Sequence, residues 1–229
     1  MNNTNDIFNA DFSRHYDASS RRLGPIADNL HFLIKLLVRD LPQDARVLCV
    51  GVGTGTEILH LAETHPGWRF TGVDPSPDML SVCAEKLVEK GVAPRCDLIE
   101  GYISDVPAAE KYDAVFCLLV THFIQDPARQ GIYQQMAERL GTNGQLIVAE
   151  IAGDMDAADF EEKLKSWTAI QDLGFQQQKS MAEVKAQMAQ RLLLLAPEKT
   201  EALIMQAGFA APLRFFQSFL IHAWQAKKI

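Results

Sequence analysis

The chain has 229 residues, 48% of them apolar, and a formal net charge of −7. That is enough for one sizeable core and too little for two comfortable domains. The acidic balance offers no broad basic field of the kind that holds nucleic acid, and no apolar run approaches the ~18 residues of a membrane span.

Residues 1–24 are polar, with Phe8, Phe12 and Tyr16 embedded among them. Met1 to Asp6 lacks the apolar centre of a signal peptide, and Cys49, Cys83, Cys96 and Cys117 are scattered without a C-x-x-C spacing. Both features lead to the expectation of a cytoplasmic protein with reduced thiols and no membrane attachment. Pro25 to Leu41 reads as a helix stopped by Pro42, with Ile26, Leu30, Leu33 and Leu37 on one face.

The stretch Val47 to Leu59 follows, V-L-C-V-G-V-G-T-G-T-E-I-L. A strand-like run ends in Gly51, Gly53 and Gly55. A helix over 56–64 starts at once, with Ile58, Leu59 and Leu61 facing inward and Glu57 reading as a first-turn carboxylate favoured by the helix dipole. A strand over 68–73 ends at Asp74. The helix over 77–90 has Ser76 as its N-cap, Pro77 in its first turn and Gly91 past its end. Strands are expected over 95–100, 112–118 and 145–151, with a helix over 128–140 that presents Ile132, Met136 and Leu140.

Residues 155–207 are helical in pattern, broken at Gly174 and Pro197. Two strand-like runs, 213–219 and 220–226, follow without an intervening helix, so they must be antiparallel. The sum is an α/β chain: a doubly wound, Rossmann-like sheet of seven strands with an antiparallel C-terminal hairpin, helices on both faces and a helical insert before strand six. One domain is expected over 1–229, with a cap and first helix over 1–41 and an insert over 152–207. Met181, Met188 and Leu192 to Leu195 make that insert a substrate lid or a homodimer surface, or simply a layer packed on the sheet.

Strand, glycine turn and helix make the entry to a nucleotide-binding unit. A dinucleotide fingerprint, G-x-G-x-x-G, would put its third glycine at Thr56; here it stands one residue earlier, at Gly55, which disfavours a nicotinamide oxidoreductase. G-x-G-x-G followed by an acidic strand end resembles the class I S-adenosylmethionine (SAM)-dependent methyltransferases. Val73-Asp74-Pro75-Ser76 with Met79 is similar to that family's second motif. Tyr112 to Val115 and Leu118 to Phe123 are similar to its fourth, and Gly144 to Val148 to its fifth strand. The likeness runs over roughly residues 40–150 in the right order.

The resemblance implies SAM as cofactor, S-adenosyl-L-homocysteine as product and no metal. Backbone at Gly51, Val52, Gly53 and Gly55 would line the methionine and ribose portions, and Asp74 would hold the ribose hydroxyls. Pro75 and Met79 would lie near the adenine, Tyr102 and Ile103 at its edge, and Leu118 and Leu119 at the methionine end. Phe12 to Asp17 resembles the family's N-terminal cap and would bring Tyr16 over the cofactor; a surface helix is the alternative. His122, after strand four, is the first candidate for a catalytic base, ahead of His15 and Tyr16, unless it packs under the cofactor. Two positions depart from the pattern: Cys49 stands where the family usually has an acidic residue, and Tyr102 where it often has Asp or Asn.

Gln206 to Phe209, Phe216 to Phe219 and Trp167 are similar to the tRNA wobble-uridine carboxymethyltransferases, which use carboxy-SAM and grip its extra carboxylate with an arginine. Lys179 and Arg191 are the nearest counterparts here. Three functions follow: methyl transfer to an oxygen, nitrogen or carbon of a small-molecule acceptor, which is favoured; carboxymethyl transfer to tRNA; and SAM binding without catalysis.

Overall fold

The structure, a computed structural model, describes residues 23–125, 127–172 and 180–229. The cap around His15 and Tyr16, the break at Gly174 and the side chain of Lys179 lie outside the described residues. Seven strands are present: β1 Arg46–Val50, β2 Arg69–Asp74, β3 Cys96–Glu100, β4 Tyr112–Leu118, β5 Leu140–Ile151, β6 Leu213–Ser218 and β7 Ile221–Lys227. The helices are α1 Gly24–Leu37, α2 Thr56–Thr64, α3 Pro77–Glu89, α4 Ala128–Arg139, α5 Phe160–Asp172, α6 Met181–Arg191 and α7 Pro197–Gln206.

The strands form one sheet in the order β3-β2-β1-β4-β5-β7-β6. β1 pairs parallel with β2 and β4, and β4 with β5. β7 runs antiparallel between β5 and β6. The expected sheet and its C-terminal hairpin are thus both present. The period-2 alternation of the central strands divides the core in two. Val47 and Cys49 of β1, Ala114 and Phe116 of β4, and Ile147 and Ala149 of β5 face α1, α2 and α3. Leu48, Val50, Val115, Cys117, Leu146 and Val148 face α4 and α7. With both faces covered, the central strands are buried along nearly their whole length, as parallel strands must be.

Three local expectations change. α1 ends at Leu37, and residues 38–41 form a turn in which the Leu41 N–H donates to the Val38 carbonyl. Pro42 disfavours helical backbone at the residue before it, so the helix unwinds early. The Trp68 indole then donates to the Pro42 carbonyl at 2.9 Å and fixes the exit. The buried face of α1 is Leu30, His31 and Ile34, and His31 stacks on His60 of α2 at 4.3 Å. β5 starts at Leu140, which pairs with Tyr112 ahead of an irregularity in the β4 register. Asn143, within this added stretch, holds φ 63°.

The insert is a layer of the fold. Phe160, Leu164 and Trp167 of α5 and Met188 of α6 are buried in the same core as Leu30, Ile34, Phe216 and Leu220. Ile204 of α7 joins the opposite face. Its exit, residues 192–195, is tied to the loop after β4. The Leu193 N–H donates to the His122 carbonyl, and the Gly153 N–H donates to the Leu195 carbonyl, each at 2.8 Å.

Candidate functional site: the crevice at the C-terminal ends of β1, β2 and β4

In an open α/β sheet, ligands lie outside the carboxyl ends of the strands where the strand order reverses, here between β1 and β4. The glycine turn sits at that point. Gly51, Gly53 and Gly55 all take positive φ, 68°, 52° and 78°. A Cβ on Gly51 would lie 2.4 Å from Val120 Cγ2, and one on Gly55 would lie 2.5 Å from Cys83 Sγ. Those two glycines are demanded by packing as well as by conformation. A Cβ on Gly53 would meet nothing within 4 Å, so bare backbone faces open space there, as a ligand cradle requires.

Asp74 fastens the loops together. Its Oδ2 accepts from the Gly53 N–H and its Oδ1 from the Ser76 N–H, both at 2.9 Å. Its backbone carbonyl accepts from the Gly101 N–H at 3.0 Å. One residue thereby joins the turns that follow β1, β2 and β3. The carboxylate is buried, which raises its pKa, and the Ser76 and Gly53 N–H groups partly offset that. Each oxygen still has a lone pair for an added donor, so the arrangement fits a ribose diol.

The other expected residues distribute around this crevice. Val52, Met79 and Ile103 are buried, Pro75 is half-buried, and Tyr102 is 58% exposed. Leu118 and Leu119 are half-buried past β4, and Leu119 holds φ 60°, an uncommon conformation for a branched side chain. Its N–H donates to the Ala149 carbonyl at 2.6 Å.

His122 meets a difficulty as a base. It is 2% exposed, and its Nδ1 accepts from the Ile151 N–H at 3.2 Å, which assigns the proton to Nε2. Burial, with Arg129 adding to it, pulls its pKa down to about 3. The lone pair that would take a proton is already committed, and the imidazolium is disfavoured, so positioning of the loop after β4 suits this ring better.

Two features escaped the sequence reading. The first is Glu57, only 8% exposed although it opens a helix. Burial raises its pKa to about 8, Asp74 adds to the rise, and attraction by Lys86 only partly offsets it. The signal lay in the helix period: Glu57 precedes Ile58 and stands four residues before Leu61, on the inward face. The second is a buried polar group under the β4–β5 end. Glu150 accepts from the Thr121 and Thr200 hydroxyls, and Arg129 donates to the Thr121 and Leu193 carbonyls at 2.8 Å. Arg129, Gln125, Ile124 and Leu193 to Leu195 line a cavity of about 350 Å³ there. Among the described residues no group of His, Cys, Asp and Glu is arranged to hold a metal ion, and no helix is long and apolar enough to cross a membrane.

The glycine cradle, the acid that braces it and the reversed strand order are the features of a nucleotide-binding α/β fold. Residues 47–144 match a family described as a methyltransferase domain. The match runs from the glycine turn's strand, β1, into the start of β5, and so takes in the whole of the candidate crevice. A carboxy-S-adenosyl-L-methionine synthase from Klebsiella pneumoniae strain 342 is 26% identical over 208 residues, which are 87% of this chain and 81% of that protein. A candidate O-methyltransferase from Nostoc punctiforme superposes with a TM-score of 0.68 at 19% identity, over 96% of this chain and 59% of its own. The cyclase SpnF superposes with a TM-score of 0.65 at 16% identity, over 88% of this chain and 80% of its own. The two structural likenesses carry the fold alone, and a cyclase among them illustrates that the fold does not choose the reaction.

Proposed function

We propose that the protein transfers the methyl group of SAM to an oxygen, nitrogen or carbon of a small-molecule acceptor and releases S-adenosyl-L-homocysteine. The observation that carries the cofactor half of this reading is the Asp74 brace. It presents a buried carboxylate beside bare glycine backbone at the switch point of the sheet. SAM would supply an already activated methyl group on its sulfonium. The protein's part is then to hold donor and acceptor in line and exclude water, which is worth ~7–11 kcal/mol in favourable cases. Gly51, Val52, Gly53 and Gly55 would cradle the methionine and ribose, and Asp74 the ribose diol. Pro75, Met79, Tyr102 and Ile103 would flank the adenine, and Leu118 and Leu119 the methionine end. Tyr16 is assigned to the cap by the sequence alone. The acceptor side is read from the acidic net charge, which disfavours tRNA, and from the cavity beside Arg129. Cytoplasmic location, a single 1–229 domain and a homodimer through the insert belong to the same reading.

Titration of ligand-stripped protein with SAM, S-adenosylhomocysteine and NAD tests the cofactor assignment, repeated on Asp74→Ala. SAM or its product should bind, the variant should lose that binding, and NAD should not compete. Failure of both adenosyl ligands to bind the folded parent protein would refute the proposal.

A second reading has its own support. The Klebsiella relative aligned over 87% of this chain is named for making carboxy-SAM. Carboxy-SAM as ligand or product is therefore the alternative, and it includes carboxymethyl transfer to tRNA. Tighter binding of carboxy-SAM than of SAM would select it. Binding of SAM with no product from any acceptor would select the non-catalytic reading.

A further inference from the structure

We infer that the cavity beside Arg129 is an anion subsite for the acceptor, and that the acceptor is a small carboxylic acid with an apolar body. The inference rests on the reading of the protein as a SAM-dependent methyltransferase and names the class of its second substrate.

The cavity, about 350 Å³, is of small-molecule size and is lined by Ile124, Gln125, Arg129 and Leu193 to Leu195. Ile124 and Gln125 continue the chain from the turn Thr121–Phe123, which follows β4. The three leucines belong to the insert's exit, tied to that turn where the Leu193 N–H donates to the His122 carbonyl. The cavity is thus walled on one side by the loop that leaves the β4 end of the crevice and on the other by the insert.

Arg129 is the one charged residue in this lining, among the described residues, and it is 1% exposed. Its Nε donates to the Thr121 carbonyl and its Nη2 to the Leu193 carbonyl, each at 2.8 Å. Nη1 has no acceptor among the described residues, and it is not one of the side-chain atoms sealed off without a partner. For a residue this buried, the cavity is the space on which Nη1 opens. Glu150 does not neutralise the guanidinium in an ion pair. Its carboxylate accepts from the Thr121 and Thr200 hydroxyls and is linked to Arg129 only through Thr121, whose carbonyl takes the Nε hydrogen. Neutral donors would satisfy two carbonyls. A guanidinium in their place brings a charge into a poorly hydrated site, and a bound anion offsets that cost. Its planar fork suits a carboxylate. Ile124 and the three leucines call for an apolar body on the same molecule.

The test is calorimetric titration of the full chain, kept saturated with S-adenosylhomocysteine, with two acid–amide pairs: benzoate and benzamide, hexanoate and hexanamide. Each amide keeps the shape of its acid and lacks the charge. A charge-assisted contact predicts that at least one acid binds roughly tenfold to hundredfold more tightly than its amide. Arg129 also holds the insert's exit, so the deciding variants are made at Gln125, whose side chain is exposed at the rim of the cavity. Gln125→Glu should weaken the acid about tenfold and leave its amide within about twofold, and Gln125→Lys should strengthen the acid. Equal affinity within both pairs, or acid affinity that neither Gln125 variant moves, overturns the inference while leaving the cofactor site intact. If S-adenosylhomocysteine does not bind the parent protein, the SAM reading itself falls, and the acceptor assignment with it.

Discussion

Replacing Glu57 by glutamine removes a proton-binding group from a site that disfavours its charge. In the folded protein the carboxyl has a pKa of about 8 against the ordinary 4.5, with burial as the largest cause. The native state therefore holds this proton more tightly than the unfolded chain does, and stability falls as pH rises from 4.5 to about 8. At ~1.4 kcal/mol per pH unit, that interval sets a ceiling of about 5 kcal/mol. Local relaxation and water entry should leave roughly 1–3 kcal/mol of it. Glutamine has nearly the same shape and no titration. Ligand-free Glu57→Gln should match the parent near pH 4.5 and exceed it by that amount above pH 8. Asp74, whose pKa is also raised, is present in both proteins and largely cancels in the difference. Urea unfolding followed through the buried Trp68, Trp167 and Trp224, repeated across this pH range, measures the gap directly. A difference that stays constant with pH, or a variant that is less stable at alkaline pH, would falsify the account of Glu57 as a buried carboxyl.

Two further outcomes follow from the same geometry. Gly51→Ala places a Cβ 2.4 Å from Val120 Cγ2 at φ 68°. It should cost about 2–4 kcal/mol in unfolding free energy from strain and overpacking, and weaken SAM binding with it; a melting temperature unchanged within a degree or two would contradict this. Arg129→Met strips the buried Thr121 carbonyl and the half-buried Leu193 carbonyl of their 2.8 Å donors. It should cost roughly 2–4 kcal/mol and speed proteolytic cleavage near residues 192–195, whereas an unaltered cleavage pattern would show that the insert's exit is held by other contacts.

Much of the cofactor half was written locally. Glycine at alternate positions after an apolar run, and an acid ending the next strand, depend on backbone conformation and on hydrogen bonds between near neighbours. Gly51, Gly53 and Gly55 accordingly take positive φ in the turn after β1, and Asp74, ending β2, accepts from the Gly53 N–H. The hairpin was legible because two strands joined without a crossover have one way to pair. α1 was overrun by four residues because periodicity continues past the point where Pro42 unwinds the backbone.

The chain order of strands and helices, the period-2 division of the core and the identity of the turn residues were determined by the sequence itself, since each rests on interactions within a few residues. The roles of Glu57, His122 and the 192–195 segment were decided only in three dimensions. Glu57 became a buried acid because α2 turns it inward with Ile58, Leu61 and Ala62, the face packed on the sheet. His122 lost its free lone pair to the Ile151 N–H, 29 residues away. Burial and long-range hydrogen bonding set the charge a side chain can carry, and those are properties of neighbours that the chain brings together only on folding.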